Sequence, residues 1–215
     1  MRRTQIALVV GSLALAVACA EPSPPDPKGA LAEAVERTLA AETFRIRSTV
    51  IDGAETHVSQ IEYQAPDRVR FLLRPSGETI RIGPDTYFSL PGQPDRFVRV
   101  ETGCETTTPE VAVPALGVVD DASDVRRDGP VFAFRSSQVE GMTGQARLTD
   151  GLLASLVLRY EFPDVDRRVI ERYAFSWAGR DVSIEAPPAS AIASTSEALP
   201  TQGGPVACSD VEGDA

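Results

Sequence analysis

The stretch TFRIRSTVIDGAETHVSQIEYQAPDRVRFLLR, residues 43–74, decides the fold. In its first part Phe44, Ile46, Ser48 and Val50 alternate with Arg45, Arg47 and Thr49. That period of two belongs to a strand with one buried face. Asp52-Gly53 follows, a dipeptide that suits the positive backbone angles of a tight hairpin. HVSQIEY (57–63) and DRVRFLLR (67–74) read as the next two strands, with Pro66-Asp67 as punctuation. In the third strand Val69, Phe71 and Leu73 share one face, and Arg68, Arg70 and Arg74 share the other with Leu72. Such alternation predicts an antiparallel sheet with one wet face.

The rhythm continues downstream. ETIRIG (78–83), Thr86–Leu90 and Arg96–Glu101 read as strands, with Pro75-Ser76-Gly77 as a turn. Residues 103–130 break the pattern and read as a long loop with a short helical turn near Val111–Val119. Strands resume at VFAFRSS (131–137), GQARLTDG (144–151), LLASLVLRYEF (152–162), RVIERYAFSW (168–177) and RDVSIEA (180–186). Upstream, GALAEAVERTLAAE (29–42) places Leu31, Val35 and Leu39 four apart, the stripe of an amphipathic helix. The expectation is a mainly β (α+β) chain. A single antiparallel sheet of about 10–11 strands must curl. The helix then packs in the concave side of the resulting half-barrel.

The head of the chain reads differently. Arg2 and Arg3 precede an uncharged, mostly apolar run from Ile6 to Ala18, 13 residues long. A permanent membrane span needs about 20, so the run reads as an export signal that is later removed. Ala16 and Ala18 stand at −3 and −1 before Cys19. That seam resembles a bacterial lipobox, in which the cysteine thiol takes a diacylglycerol group, although the usual Leu at −3 is here Ala16, with Leu15 one residue earlier. The alternatives are a plain secreted protein cut near Cys19 and a true membrane span. Two or three acyl chains hold a protein durably on a membrane, whereas one does so only marginally. The organisation expected is a signal peptide over 1–18, a lipidated Cys19 with a proline-rich tether over 19–29, a domain over 30–186 and a low-complexity tail over 187–215. The location expected is the extracytoplasmic face of the cell membrane.

Composition narrows the function. The chain carries 21 basic and 31 acidic residues, a net charge of −10. That excludes a nucleic-acid partner, whose binding rests on neutralising phosphates. No run of basic residues exists along the chain, so the sequence gives the folded body no reason to lie flat on anionic lipid. Of three cysteines, Cys19 is assigned to the anchor. Cys104 and Cys208 remain as an even pair in an oxidising setting, either bridged or as two free thiols. A bridge would close a loop of about 105 residues, worth roughly 4–5 kcal/mol in the chain-entropy account.

The phrases TFRIRSTVIDG, YQAPDRVRFLLR, ETIRIGPDTYFSL, ARLTDGLLASLVLRYEF and YAFSWAGRDVSIEAPP follow one another over about residues 28–190. In this order they resemble the LolA-like lipoprotein-carrier superfamily, with the nearest likeness to actinobacterial cell-surface lipoproteins of the LppX/LprG type. The resemblance implies a half-open β-barrel closed by helices, an apolar cavity able to hold acyl chains, and a binding protein rather than an enzyme. Sensors that bind a protein partner belong to the same superfamily. The partners expected are the membrane through the anchor, a lipid or acylated ligand, or an envelope protein that meets the 103–130 segment and the tail.

Chemistry of other kinds finds little footing. His57 is the single histidine, so histidine-based metal sites have no ligand set, and it reads as a surface residue of a strand. Asp164 and Asp166 sit in a hairpin turn, FPDVDRR, and Asp120, Asp121 and Asp124 lack calcium-loop spacing. No cofactor, metal or catalytic residue is expected. A ligand site, if one exists, is apolar. Its candidate lining residues are Phe44, Ile46, Val69 and Phe71 from the first strands, then Ile80 and Ile82. Phe132, Phe134, Leu156, Leu158, Tyr173 and Phe175 complete the set from the later strands. The competing reading is that these residues fill the core against Leu31, Val35 and Leu39, because periodicity does not separate a filled barrel from a hollow one.

Overall fold

The computed structural model describes residues 26–74, 77–101, 113–177 and 182–193. Cys19, Cys104 and Cys208 lie outside these residues, as does the signal segment. Helix α1 spans Pro27–Leu39. It starts inside the stretch read as tether, because Asp26 caps it. The Asp26 carboxylate accepts from the backbone N–H of Lys28 and Gly29, and Pro27 takes the first turn, where its missing N–H costs nothing.

Eleven strands follow. They are β1 (Thr43–Asp52), β2 (Glu55–Gln64), β3 (Arg68–Arg74), β4 (Gly77–Ile82), β5 (Asp85–Leu90) and β6 (Gln93–Glu101), then β7 (Ala122–Asp128), β8 (Val131–Ser136), β9 (Met142–Thr149), β10 (Leu152–Phe162) and β11 (Arg167–Ser176). They form one curled, unclosed antiparallel sheet in the order β6-β5-β4-β3-β2-β1-β11-β10-β9-β8-β7. Two meanders therefore meet at the central β1–β11 pair, where Ile46 faces Phe175 and Ser48 faces Tyr173. The chain passes from one sheet edge to the other between β6 and β7. Within that passage Pro114–Leu116 make a 3-10 turn and Gly117–Asp120 a short helix, α2.

α1 packs on β7, β10 and α2, all on one face of the sheet, here called the helix face. Leu31, Ala34, Val35 and Thr38 are its buried residues. They meet Phe44, Ile46, Phe132, Phe134, Leu153, Leu156 and Leu158 in the main core. Thr38 joins helix to sheet through a fully buried hydroxyl, which donates to the Ala34 carbonyl at 2.7 Å and accepts from the Leu153 N–H at 3.2 Å.

Three sequence expectations need correction here. The 103–130 segment is not all loop. Its described part contributes Val113, Ala115, Leu116, Val119 and Ala122 to the main core and continues as β7. Those buried residues are therefore not a free contact surface. The RDVSIEA stretch forms no strand over its described residues, 182–186. Val182 and Ile184 do alternate inward, but side chains replace a ladder: Gln64 Oε1 accepts from the Ile184 N–H and Arg68 Nη1 donates to the Ile184 carbonyl, both at 2.9 Å. Residues 187–193, read as tail, continue along the body. Ile192 bridges Phe97, and the Ala193 N–H donates to the Phe97 carbonyl at 2.7 Å.

Candidate functional site

Register fixes which candidate residues share a face. Phe44 faces Tyr63, Ile46 faces Ile61, and these face Val69 and Phe71 in turn. On the other side Tyr173 faces Leu156, Leu156 and Leu158 face Ala146 and Gly144, and these face Phe132 and Phe134. Ten of the twelve candidates thus lie on the helix face. Ile80 and Ile82 do not. Val69 faces Arg81, and Arg70 faces Ile80, so both isoleucines lie on the opposite, outer face. There Ile80 joins Tyr87, Phe97, Val182 and Ile184 in a second, smaller core, with Ile82 packed against it. That core exists because residues 182–193 cover the outer face of this half-sheet.

Within the ten, packing divides the set. Phe44, Ile46, Val69, Phe132, Phe134, Leu156 and Leu158 are exposed by 3% or less. A side chain with no surface open to water lines no void large enough for one, so these seven fill the core. Phe71, Tyr173 and Phe175 are half-buried.

The half-buried residues belong to a strip where the helix face runs out from under α1. Phe71 faces Thr79, which faces Phe88, which faces Val98. Leu73 is 48% exposed and Phe88 42%. At the other margin of the strip stands a polar group. Tyr173 donates to Glu171 Oε2 at 2.8 Å, and Tyr160 donates to the same oxygen at 3.3 Å. Burial, followed by the Glu171 charge, pushes the Tyr160 phenol up to about 12 and raises that of Tyr173 as well. Both therefore remain donors at neutral pH. Ser48 and Ser59 lie between Tyr173 and Leu73 in one cross-strand row. The row spans three strand spacings, about 14 Å. The arrangement is amphipathic: an apolar strip open along one side and a fixed carboxylate with two phenols at its end. Periodicity found the apolar half. It placed Leu73 on the face of Val69 and Phe71 but missed Glu171, Tyr160 and Phe88, whose only signal is their register in the sheet.

Two grooves formed by described residues lie elsewhere. One of about 610 Å³ sits at the tip of the β10–β11 hairpin, lined by Glu140, Gly141, Glu161, Phe162, Pro163, Asp164 and Val165. Another, of about 360 Å³, lies on the outer face between β7 and β10. His57 is an exposed strand residue, 3.4 Å from Glu55. Asp164 lies in a 3-10 turn, and Asp166, which caps it, adopts the left-handed conformation. Among the described residues no group of three or more His, Cys, Asp or Glu could hold a metal, and no helix is long and apolar enough to cross a membrane.

No family model matches the chain, and no curated protein matches it in sequence. Solved structures do match. LprF from Mycobacterium bovis is 14% identical with a TM-score of 0.44, over 76% of this chain and 98% of that one. The MucA/MucB complex of Pseudomonas aeruginosa gives 13% identity and a TM-score of 0.40, over 80% of this chain and 62% of that one. A DUF1329 family protein from Desulfovibrio piger gives 9% and 0.36, over 74% and 93%. The structural neighbours thus include an Lpr protein, the kind to which the sequence phrases are similar.

Proposed function

We propose that the chain is a membrane-anchored extracytoplasmic lipoprotein that binds an acylated ligand, with Cys19 as the lipid attachment point. The observation that carries this reading is the half-covered helix face. Apolar residues continue from the packed core into a strip where Phe71, Leu73 and Phe88 keep exposed surface. An acyl chain laid along it would gain about 25 cal/mol for each Å² of apolar surface removed from water. This moves the site from the enclosed barrel expected at first to the open margin of a filled one. The Glu171 carboxylate repels a free fatty-acid head, so the ligand's polar end carries a donor such as a hydroxyl or amine. No step of this reading needs a catalytic residue.

The test is binding of a fluorescently labelled monoacylglycerol to the chain and to Leu73→Asp and Phe88→Asp. Both side chains are exposed, so the fold should tolerate the changes. The expected result is at least tenfold weaker binding by each variant. Equal binding by both variants, or no binding by the parent, refutes the reading.

A second reading, an envelope module that binds a protein partner, has one observation in its favour. Phe162 and Val165 are 40% and 69% exposed beside the 610 Å³ hairpin-tip groove, a large apolar projection for so acidic a chain. Capture of a partner that Val165→Asp abolishes, with acyl binding unaffected, would favour this reading.

A further inference from the structure

The sequence shows no run of basic residues, yet the fold assembles a basic patch. On the outer face Arg126 faces Ala133, Arg135 faces Thr143, Thr143 faces Arg159, Val157 faces Arg172, and Arg172 faces Thr49, two residues from Arg47. Arg147, opposite Val131, shares the same face. Diagonal neighbours of this kind stand about 8 Å apart and next-but-one strands about 10 Å apart. The result is a zigzag of arginines across six adjacent strands, about 24 Å wide. Other outer-face arginines have partners: Arg68 donates to the Ile184 carbonyl, and four more are neutralised. Arg45 and Arg70 pair with Glu62, Arg99 with Asp85, and Arg168 with Glu161. Among the described residues, Arg47, Arg126, Arg135, Arg147, Arg159 and Arg172 have no ion-pair or side-chain hydrogen-bond partner. Asp124, in the bulge of β7, and Asp128, opposite Val131, are among the described residues the unpaired carboxylates on this part of the face.

An acidic protein that leaves six arginines unpaired on one face has its positive charge sorted by the fold. We propose that this face docks on an anionic phospholipid surface. The patch is too wide for one small anion, and a planar guanidinium suits a phosphodiester. Half-buried Val131, Val157 and Ile170 lie among the arginines on the same face. The proposed anchor adds proximity, and this part rests on the reading of Cys19: only six residues stand between it and Asp26, a reach of about 22 Å if extended. Such a leash keeps the face at high effective concentration beside the bilayer. Docking by the outer face leaves the helix face and its open strip turned away from the headgroups.

The test uses the chain from residue 19 onward with Cys19→Ser. It retains every described residue and has neither signal segment nor acyl anchor, so failure of docking is separate from failure of the anchor reading. Sedimentation with phosphatidylglycerol-containing vesicles is compared with pure phosphatidylcholine at low salt. The expected result is preference for the anionic vesicles, weakening as salt rises. Each arginine near an anionic surface is worth about fivefold in partitioning, so R126Q/R135Q/R159Q should lose about a hundredfold. R126K/R135K/R159K should stay within about threefold of the parent, which excludes misfolding as the cause. Paired arginines away from the patch, changed in R37Q/R167Q, should shift binding by less than twofold. The inference is overturned by equal binding to neutral vesicles, by a triple glutamine variant that binds like the parent, or by binding to soluble polyphosphate without vesicle binding.

Discussion

Gly144 gives the sharpest test of how the main core is packed. It sits on β9 with Phe134 of β8 on one side and Leu158 of β10 on the other. A Cβ at this position would lie 2.1 Å from Phe134 Cζ, 2.4 Å from Cε2 and 2.6 Å from Cε1. Ordinary carbon contacts are about 3.5–4.0 Å, so the ring would have to retreat by more than 1 Å. It has nowhere to go, since Phe134 is 3% exposed inside the main core. Overpacking of this kind costs about 1–3 kcal/mol, and a rigid ring wedged between paired strands puts Gly144→Ala near the top of that range. Without the clash the sign would reverse, because Ala is better than Gly in a strand by about 0.5–1 kcal/mol. For a body of this size, about 3 kcal/mol lowers Tm by roughly 6–12 °C. The assay is urea and thermal unfolding followed by the fluorescence of Trp177, the single tryptophan, which stacks on Phe175 at 5.6 Å and donates to the Leu153 carbonyl. Phe134→Leu should relieve the clash, so G144A/F134L should be at least 1 kcal/mol more stable than the two single changes add up to. A neutral or stabilising Gly144→Ala, or strict additivity, refutes this packing.

Further outcomes follow from particular contacts. Thr38→Val keeps the shape but leaves the buried Leu153 N–H without its acceptor, so it should cost about 1–3 kcal/mol in denaturant unfolding. Ile184→Asp should free residues 182–193 from the second core. Limited proteolysis should then cut near residue 184 while the Trp177 unfolding transition persists, and a single loss of all structure would deny that two cores exist. Tyr160 and Tyr173 have raised folded-state values, so they stabilise the fold fully below the ordinary phenol range. That contribution is lost as pH climbs from about 10 through the folded value near 12, because the unfolded chain releases its phenolic protons first. Glu171→Gln should bring tyrosinate formation, read by ultraviolet absorbance, to lower pH, and an unchanged titration would count against the Tyr160–Glu171–Tyr173 contact.

Much of the fold was legible because burial here follows the pleat. Phe44 and Ile46, or Phe132 and Phe134, alternate with exposed or partly exposed partners, and the sheet has them on the helix face. Legibility failed where a covering element comes from far along the chain. Ile80 and Ile82 look like a continuation of Val69 and Phe71, but the even register of the β3–β4 hairpin turns them outward. The segment that makes that face apolar, 182–193, lies a hundred residues away. ASDVRRD has no alternation at all, yet it becomes β7 by pairing at the sheet edge, with a bulge around Asp124. RDVSIEA has alternation, but its described residues, 182–186, form no ladder, because Gln64 and Arg68 satisfy the Ile184 backbone. The arginine face was invisible for a related reason: no two of its residues are neighbours in sequence, and only strand order brings them together.

The most direct test of the central claim is mass spectrometry of the protein purified from its own host, intact and after organic extraction. The account expects a chain that begins at Cys19 with acyl groups attached. It also expects a co-purifying acylated compound close to one per protein, largely lost from the L73D/F88D variant. An unmodified N-terminus removes the anchor, and a parent protein that yields no acylated compound contradicts the binding function.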